Sequence, residues 1–442
     1  MTELTPDTLF SRDQLLQSWL DVEAALARAQ ARLGMIPDWA ADGISRAADL
    51  AHIGREAIDA DAARTMAPIL SLTRLLAKAA GKAGDYVHWG ATTQNVMQTG
   101  RILLLRRADA AIRNNLARVA QRMGRLAELH ADTLMAGRTN RRHALPITFG
   151  FKVAGWIEEL DRTAERLAGA AGRCFALPFG GAVGAMHAYG GRGRELNRAL
   201  AADLGLRELL VAGRTVNDLF VEYILQLCLL AMTVERAAGE LYRLMGEEVG
   251  EIEERLEEGT VGSSTMPHKV NPKYVVRILA QCAEVRSFAV PALESGLSKH
   301  EGDAVANHLL AAVTDRVVPL AWRLAEGFAD LLDRVRPVPQ RMAENLALTD
   351  GGIATERLMM QLAPRVGRAR AHDIVHHALD AGLAAGLSPR EALAADGEMA
   401  GLMRAEEVAA AVDPSGYAGD SAEIARAAAH LAEALAAHLR SG

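Results

Sequence analysis

Apolar residues recur three and four positions apart along most of this chain, so that it reads as helix after helix. In SRDQLLQSWLDVEAALARAQARLG, Leu15, Trp19, Val22 and Leu26 mark one helical face and Gly34 its stop. A second helix-rich block carries Pro37 and Pro68. From Val96 to Met135 no proline interrupts an amphipathic period, which predicts one long helix. Another is predicted from Val216 to Gly259, about 60 Å long at roughly 1.5 Å per residue, inside the proline-free interval between Pro178 and Pro267. Its face carries Leu, Ile, Val and Met over many turns, more apolar surface than neighbouring helices of one chain readily cover. Association of long helices between subunits is therefore expected, against the alternative of a helix buried within its own subunit. After Pro337 and Pro339 the pattern shortens to turn-punctuated helices and the Ala-rich AEIARAAAHLAEALAAHL. The expected organisation is an N-terminal helical block over 1–98, a central long-helix block over 99–340 and a C-terminal helical block over 341–442.

Composition sharpens this into an all-α expectation. Of 442 residues, 50% are hydrophobic but only 4% aromatic, so Ala, Leu, Val, Ile and Met must fill the core, and these favour helix packed on helix. A formal net charge of −6 leaves no basic field for a phosphate backbone, which argues against a nucleic-acid partner while leaving arginine clusters free to bind small anions. MTELTPDTLF lacks a basic-then-apolar leader pattern, and no run approaches the roughly twenty apolar residues that span a bilayer, so a cytoplasmic protein without a membrane partner is expected. Cys174, Cys228 and Cys282 are too few and too dispersed for a disulfide framework or a zinc site and read as small buried hydrophobes.

Three polar stretches break the helical pattern. HWGATTQN, His88 to Asn95, places four short hydrogen-bonding side chains where the long helix begins. Capping takes one residue; a cluster there also suits a carboxylate, which the free backbone N–H groups and the helix dipole attract. GRTNRRHALPITFG, Gly137 to Gly150, reads as a loop closing one long helix and opening the next after Pro146. Its Arg138, Arg141, Arg142 and His143 form either a solvated charge run or a site for an acidic substrate, since arginine grips carboxylates bidentately.

The third is GSSTMPHKVNP, Gly262 to Pro272. Gly262 permits close approach, Pro267 and Pro272 exclude regular helix, and Ser263, Lys269 and Asn271 can converge in a curled loop. A serine serves as a base near neutral pH only if backbone N–H groups and an ammonium stabilise its alkoxide. A capping turn would explain Ser263 or Ser264 but not the lysine and asparagine.

This last stretch resembles the signature loop of the fumarase/aspartase superfamily, G-S-S-x-M-P-x-K-x-N-P. HWGATTQNVMQTG and GRTNRRHALPITFG are similar to that superfamily's first two shared regions, the former in the version found among 3-carboxy-cis,cis-muconate cycloisomerases. The three occur in the family's order, and the resemblance covers nearly the whole chain. It implies a three-domain, all-α subunit whose central helices form a tetrameric bundle, with each active site shared between subunits. It also implies anti β-elimination from a substituted succinate, usually releasing fumarate, or the lactonising counterpart, with no metal or organic cofactor. By the resemblance, Ser263 is the catalytic base, and Lys269 and Asn271 stabilise the enolate-like intermediate. Ser264 and Met266 line the substrate. Thr92, Thr93 and Gln94 bind carboxylate oxygens, and Thr139 and Asn140 contact the substrate beside the leaving group.

The chain also departs from its relatives. Fumarases and adenylosuccinate lyases carry histidine and glutamate where this chain has Asn140 and Val276, which argues against those two activities. The muconate branch has a histidine matching His143, a candidate general acid whose alternative is a hydrogen bond in a subunit interface. Yet Asn95 stands where that branch has aspartate, and HEGDAVANHLL has Gly302 for arginine and Asn307 for tryptophan within H-E-R-x-x-G-x-W. Arg142, where relatives have glutamine, adds a cation for a further acidic group on the substrate. Two weaker motifs compete. HDIVHH sets His372 and His376 at helical i, i+4 spacing without an apparent third metal ligand, and GGAVG at Gly180 to Gly184 lacks the preceding strand of a nucleotide-binding turn.

Overall fold

A computed structural model describes residues 3–260 and 262–441 of the chain. Helices carry the fold, and among the described residues four short strands interrupt them: β1 (Leu134–Thr139), β2 (Arg142–Thr148), β3 (Ile252–Glu254) and β4 (Val335–Pro337). The longest helix, Thr93–Leu129, runs about 55 Å at roughly 1.5 Å per residue. Among the described residues, no helix is long and apolar enough to cross a membrane. The three cysteines are buried and form no disulfide among the described residues, as their dispersion suggested.

The residues divide into two compact units. The first comprises 1–115, 162–232 and 280–326. Its opening helix, Arg12–Arg32, is capped by Ser11, whose hydroxyl accepts from the Gln14 amide, and buries Leu16, Trp19, Leu20, Val22 and Leu26. The second comprises 116–161, 233–279 and 327–442 and holds all four strands. Its C-terminal part closes around Leu358, Leu362, Ile374, Leu393 and Met399, all at most 2% exposed.

Three expectations are corrected. The Val96–Met135 helix ends at Leu129, and Gly137–Gly150 forms mostly a β-hairpin and not a loop. β1 and β2 pair antiparallel from Leu134↔Thr148 to Thr139↔Arg142, with an irregularity between Gly137 and Arg138. Asn140 (φ 49°) and Arg141 (φ 65°) make the two-residue turn. Left-handed conformation at both positions gives that turn the twist of the flanking strands. Pro146 is tolerated because a strand of a two-stranded ribbon has a free edge. The Val216–Gly259 helix is likewise shorter, Asp218–Leu244. The chain turns at Gly250 (φ 62°) and pairs as β3 with β4, Ile252 opposite Pro337. Burying Ile252 and Glu251 in that ribbon outweighs the local helical preference of an acidic run.

Candidate active site

The first polar stretch belongs to the first unit. The long helix starts at Thr93, and the side chains of Thr93 and Gln94 line a cavity of about 370 Å³. Asn95 has a different task. It is fully buried; its Nδ2 donates to the Pro178 carbonyl (2.7 Å), and its Oδ1 accepts from the Gly181 amide (2.8 Å). The GGAVG turn is thereby pinned to the head of the helix, a job aspartate cannot do because an ionised carboxylate only accepts.

Upstream, His88 Nδ1 meets Glu23 Oε1 at 2.6 Å. Burial alone would lower the His88 pKa, but the Glu23 hydrogen bond and charge outweigh it and the net shift is upward. The folded-state value thus lies above that of the unfolded chain. The contact therefore stabilises fully below about pH 6.5 and is lost as pH rises through the raised pKa. We expect the gap in melting temperature between the native chain and His88→Gln to narrow as pH rises from about 6.5 through the raised pKa; a gap that widens with pH would contradict the assignment.

The second stretch lies in the second unit, and its tip is the hairpin turn. Thr139, Asn140, Arg141 and Arg142 are exposed there, and neither Arg141 nor Arg142 has an ion-pair partner among the described residues. Arg138 and His143 are cross-strand partners one step inward. The arginines that looked like one cluster therefore divide by strand alternation. Arg138 donates to both oxygens of Glu251 at 2.9 and 2.6 Å, and Asn345 Nδ2 adds a third bond at 2.8 Å. Arg138 is thus a strut, and Arg141 and Arg142 remain free cations. Burial lowers the His143 pKa, and the charges of Arg138 and Arg142 lower it further against an opposing effect of Glu251. Neutral imidazole is therefore favoured, and a negative charge brought next to it would shift the balance back towards imidazolium.

The third stretch, also in the second unit, is a closed curl. A Cβ on Gly262 would stand 2.8 Å from the Lys269 carbonyl oxygen and 3.0 Å from the Val270 Cα, so only glycine lets the two ends meet this closely. The Lys269 amide donates to the Met266 carbonyl (3.0 Å). Ser263 Oγ accepts from the amides of Met266 (3.1 Å) and Thr265 (3.4 Å). Ser264, Met266 and Lys269 are exposed on the curl and Asn271 is half-buried. Just beyond Pro272, Glu254 accepts from the amides of Lys273, Tyr274 and Val275 at 2.6, 3.0 and 2.9 Å, capping the helix Tyr274–Arg286.

Sequence reading missed Glu251 and Glu254. They flank and end β3, so one short ribbon holds the tip end of the hairpin through Arg138 and the exit of the curl through the capped helix. Their only signal was the acidic run GEIEERLEE, which reads as a solvated helix face. His372 and His376 are exposed, and among the described residues no group of three or more metal-ligating side chains converges.

The chain is similar to known proteins over most of its length. The family described as Lyase matches residues 7–287, and that of the adenylosuccinate lyase C-terminus matches 351–428. The chain is 34% identical to adenylosuccinate lyase of Methanothermobacter thermautotrophicus, covering 94% of each. It is 32% identical to N-acetyl-S-(2-succino)cysteine lyase of Dickeya dadantii, over 94% of this chain and 92% of that one. The 3-carboxy-cis,cis-muconate lactonizing enzyme of Pseudomonas putida superposes with a TM-score of 0.88 at 29% identity, covering 97% of both chains.

Proposed function

Because the chain belongs to the fumarase/aspartase superfamily of lyases, we propose that it catalyses anti β-elimination from a substituted succinate, releasing fumarate, with Ser263 as the base. The observation that carries this reading is the environment of Ser263 Oγ. Two backbone N–H groups point at it inside a curl that also contains the Lys269 ammonium, the setting an alkoxide needs. Proton removal from the carbon next to a carboxylate places negative charge on that carboxylate. Lys269, Asn271 and the loop amides then stabilise the enolate-like intermediate, each such contact contributing about 3 kcal/mol in the transition state. Ser264 and Met266 complete the wall of the loop. Thr92, Thr93 and Gln94 hold carboxylate oxygens at the helix N-terminus, while Thr139, Asn140 and Arg142 face the leaving group and His143 protonates it. No cofactor enters the scheme.

The proposal includes a cytoplasmic homotetramer, built on the three successive blocks 1–98, 99–340 and 341–442, with each site completed by neighbouring subunits. It is supported by a half-open groove of about 910 Å³ in the second unit, between the helices Phe149–Cys174, Asp218–Leu244 and Ser421–Ser441. That groove contains none of the proposed site residues and offers partly apolar walls such as Trp156, Ile424 and Leu431 to a second copy.

Fumarate formation, followed by ultraviolet absorbance across N-, O-, S- and nitro-substituted succinates, tests the chemistry. Turnover of at least one class is expected. Silence across the panel with brisk lactonisation of carboxymuconate would transfer the assignment to the cycloisomerase reading, which the lactonizing enzyme's superposition favours.

A further inference from the structure

The 370 Å³ cavity beside Thr93 and Gln94 is built for more than a succinate. Its walls combine the apolar Met66, Leu70, Met97 and Phe220 with the polar Arg214 and Asn307. Two donors that line it are buried and lack acceptors: Arg214 Nε and Asn307 Nδ2. The second is oriented from behind, because Asn307 Oδ1 accepts from Asn217 Nδ2 (3.2 Å), and Asn217 is itself tied to the Ser295 carbonyl (3.1 Å). Arg214 is held through its backbone carbonyl, which accepts from Gln98 Nε2 (3.0 Å), while its guanidinium makes only a long 3.4 Å bond to the Ala182 carbonyl. Among the described residues it has no carboxylate partner, so a half-buried cation with a buried Nε–H and a buried amide N–H are available to an anion's oxygens.

Gly302 explains how the guanidinium comes to be there. A Cβ on that residue would lie 3.1 Å from Arg214 Cζ and 3.2 Å from its Nη1, so Arg214 fills the space next to a position where the muconate branch carries arginine. We propose that Arg214 replaces the missing cation at position 302 and, with Asn307, binds a third carboxylate carried on the substituent of the succinate. Resting on the reading of a substituted-succinate lyase, this adds the substrate class: a succinate whose substituent brings several carbon atoms and its own negative charge.

Calorimetric titration of the full-length protein with succinate and with propane-1,2,3-tricarboxylate tests it. The tricarboxylate is expected to bind at least about tenfold more tightly, the effect of one charge-assisted contact. Arg214→Gln should erase that preference while leaving succinate binding in place, and adding Gly302→Arg to Arg214→Gln should restore it. Equal affinity for the two acids in the native protein, or equal weakening of both by Arg214→Gln, overturns the inference while sparing the reading beneath it. Binding of neither acid overturns both.

Discussion

Replacing Ser263 by alanine is expected to lower kcat on the true substrate by about a thousandfold and to leave KM nearly unchanged, the magnitude that follows when a positioned base is removed. The curl survives the change. Its closure rests on the approach of Gly262 to Lys269 and Val270 and on the backbone bond from Lys269 to Met266, none of which involves the hydroxyl. The amides of Thr265 and Met266 are left facing water, which satisfies them. Steady-state kinetics on the best substrate from the succinate panel, with helical content checked by circular dichroism, decides the matter. Undiminished kcat in a folded Ser263→Ala protein would remove serine from the mechanism, whereas loss through KM alone would make it a binding group.

Glu251→Ala gives the largest expected structural effect. The Glu251 side chain is fully buried and the Arg138 side chain only 19% exposed, so truncating the acid strands a guanidinium in a low-dielectric setting and leaves Asn345 Nδ2 with one acceptor fewer. Breaking one half of such a pair is destabilising by about 3–5 kcal/mol, whereas exchanging both halves for apolar residues is often neutral. Hydrogen exchange of the β1 and β2 amides is the appropriate readout, because opening of the hairpin and not global unfolding is what the strut resists. The double variant Arg138→Met with Glu251→Leu should recover most of the protection. Equal protection in Glu251→Ala and the native chain would mean that the pair is screened by solvent and holds nothing.

Much of the site was legible because its chemistry is local. Gly262 to Pro272 carries its own closure: the backbones of Gly262 and Lys269 that approach each other are seven positions apart, and Ser263 accepts from amides two and three positions on, so a curl could be read from the spacing. The start of the long helix at Thr93 was legible for the same reason. The hairpin was not. Its turn places an arginine at positive φ, its second strand contains a proline, and Arg138 is ion-paired whereas Arg142, four positions on, is not. What separates Arg138 from Arg142 is strand alternation together with Glu251, which is 113 positions away from Arg138.

The sequence by itself determined the all-α class and the order of the three polar stretches. These depend on periodicity and on neighbours within one or two turns, where the range of the interactions matches the range of the pattern. Tertiary structure alone decided where the long helices end, that Asn95 and Arg138 are struts, and that Arg214 stands beside Gly302. Each of those outcomes rests on burial of a polar or charged group that must find its partner across a long stretch of chain, and a linear pattern carries no record of which partner that is.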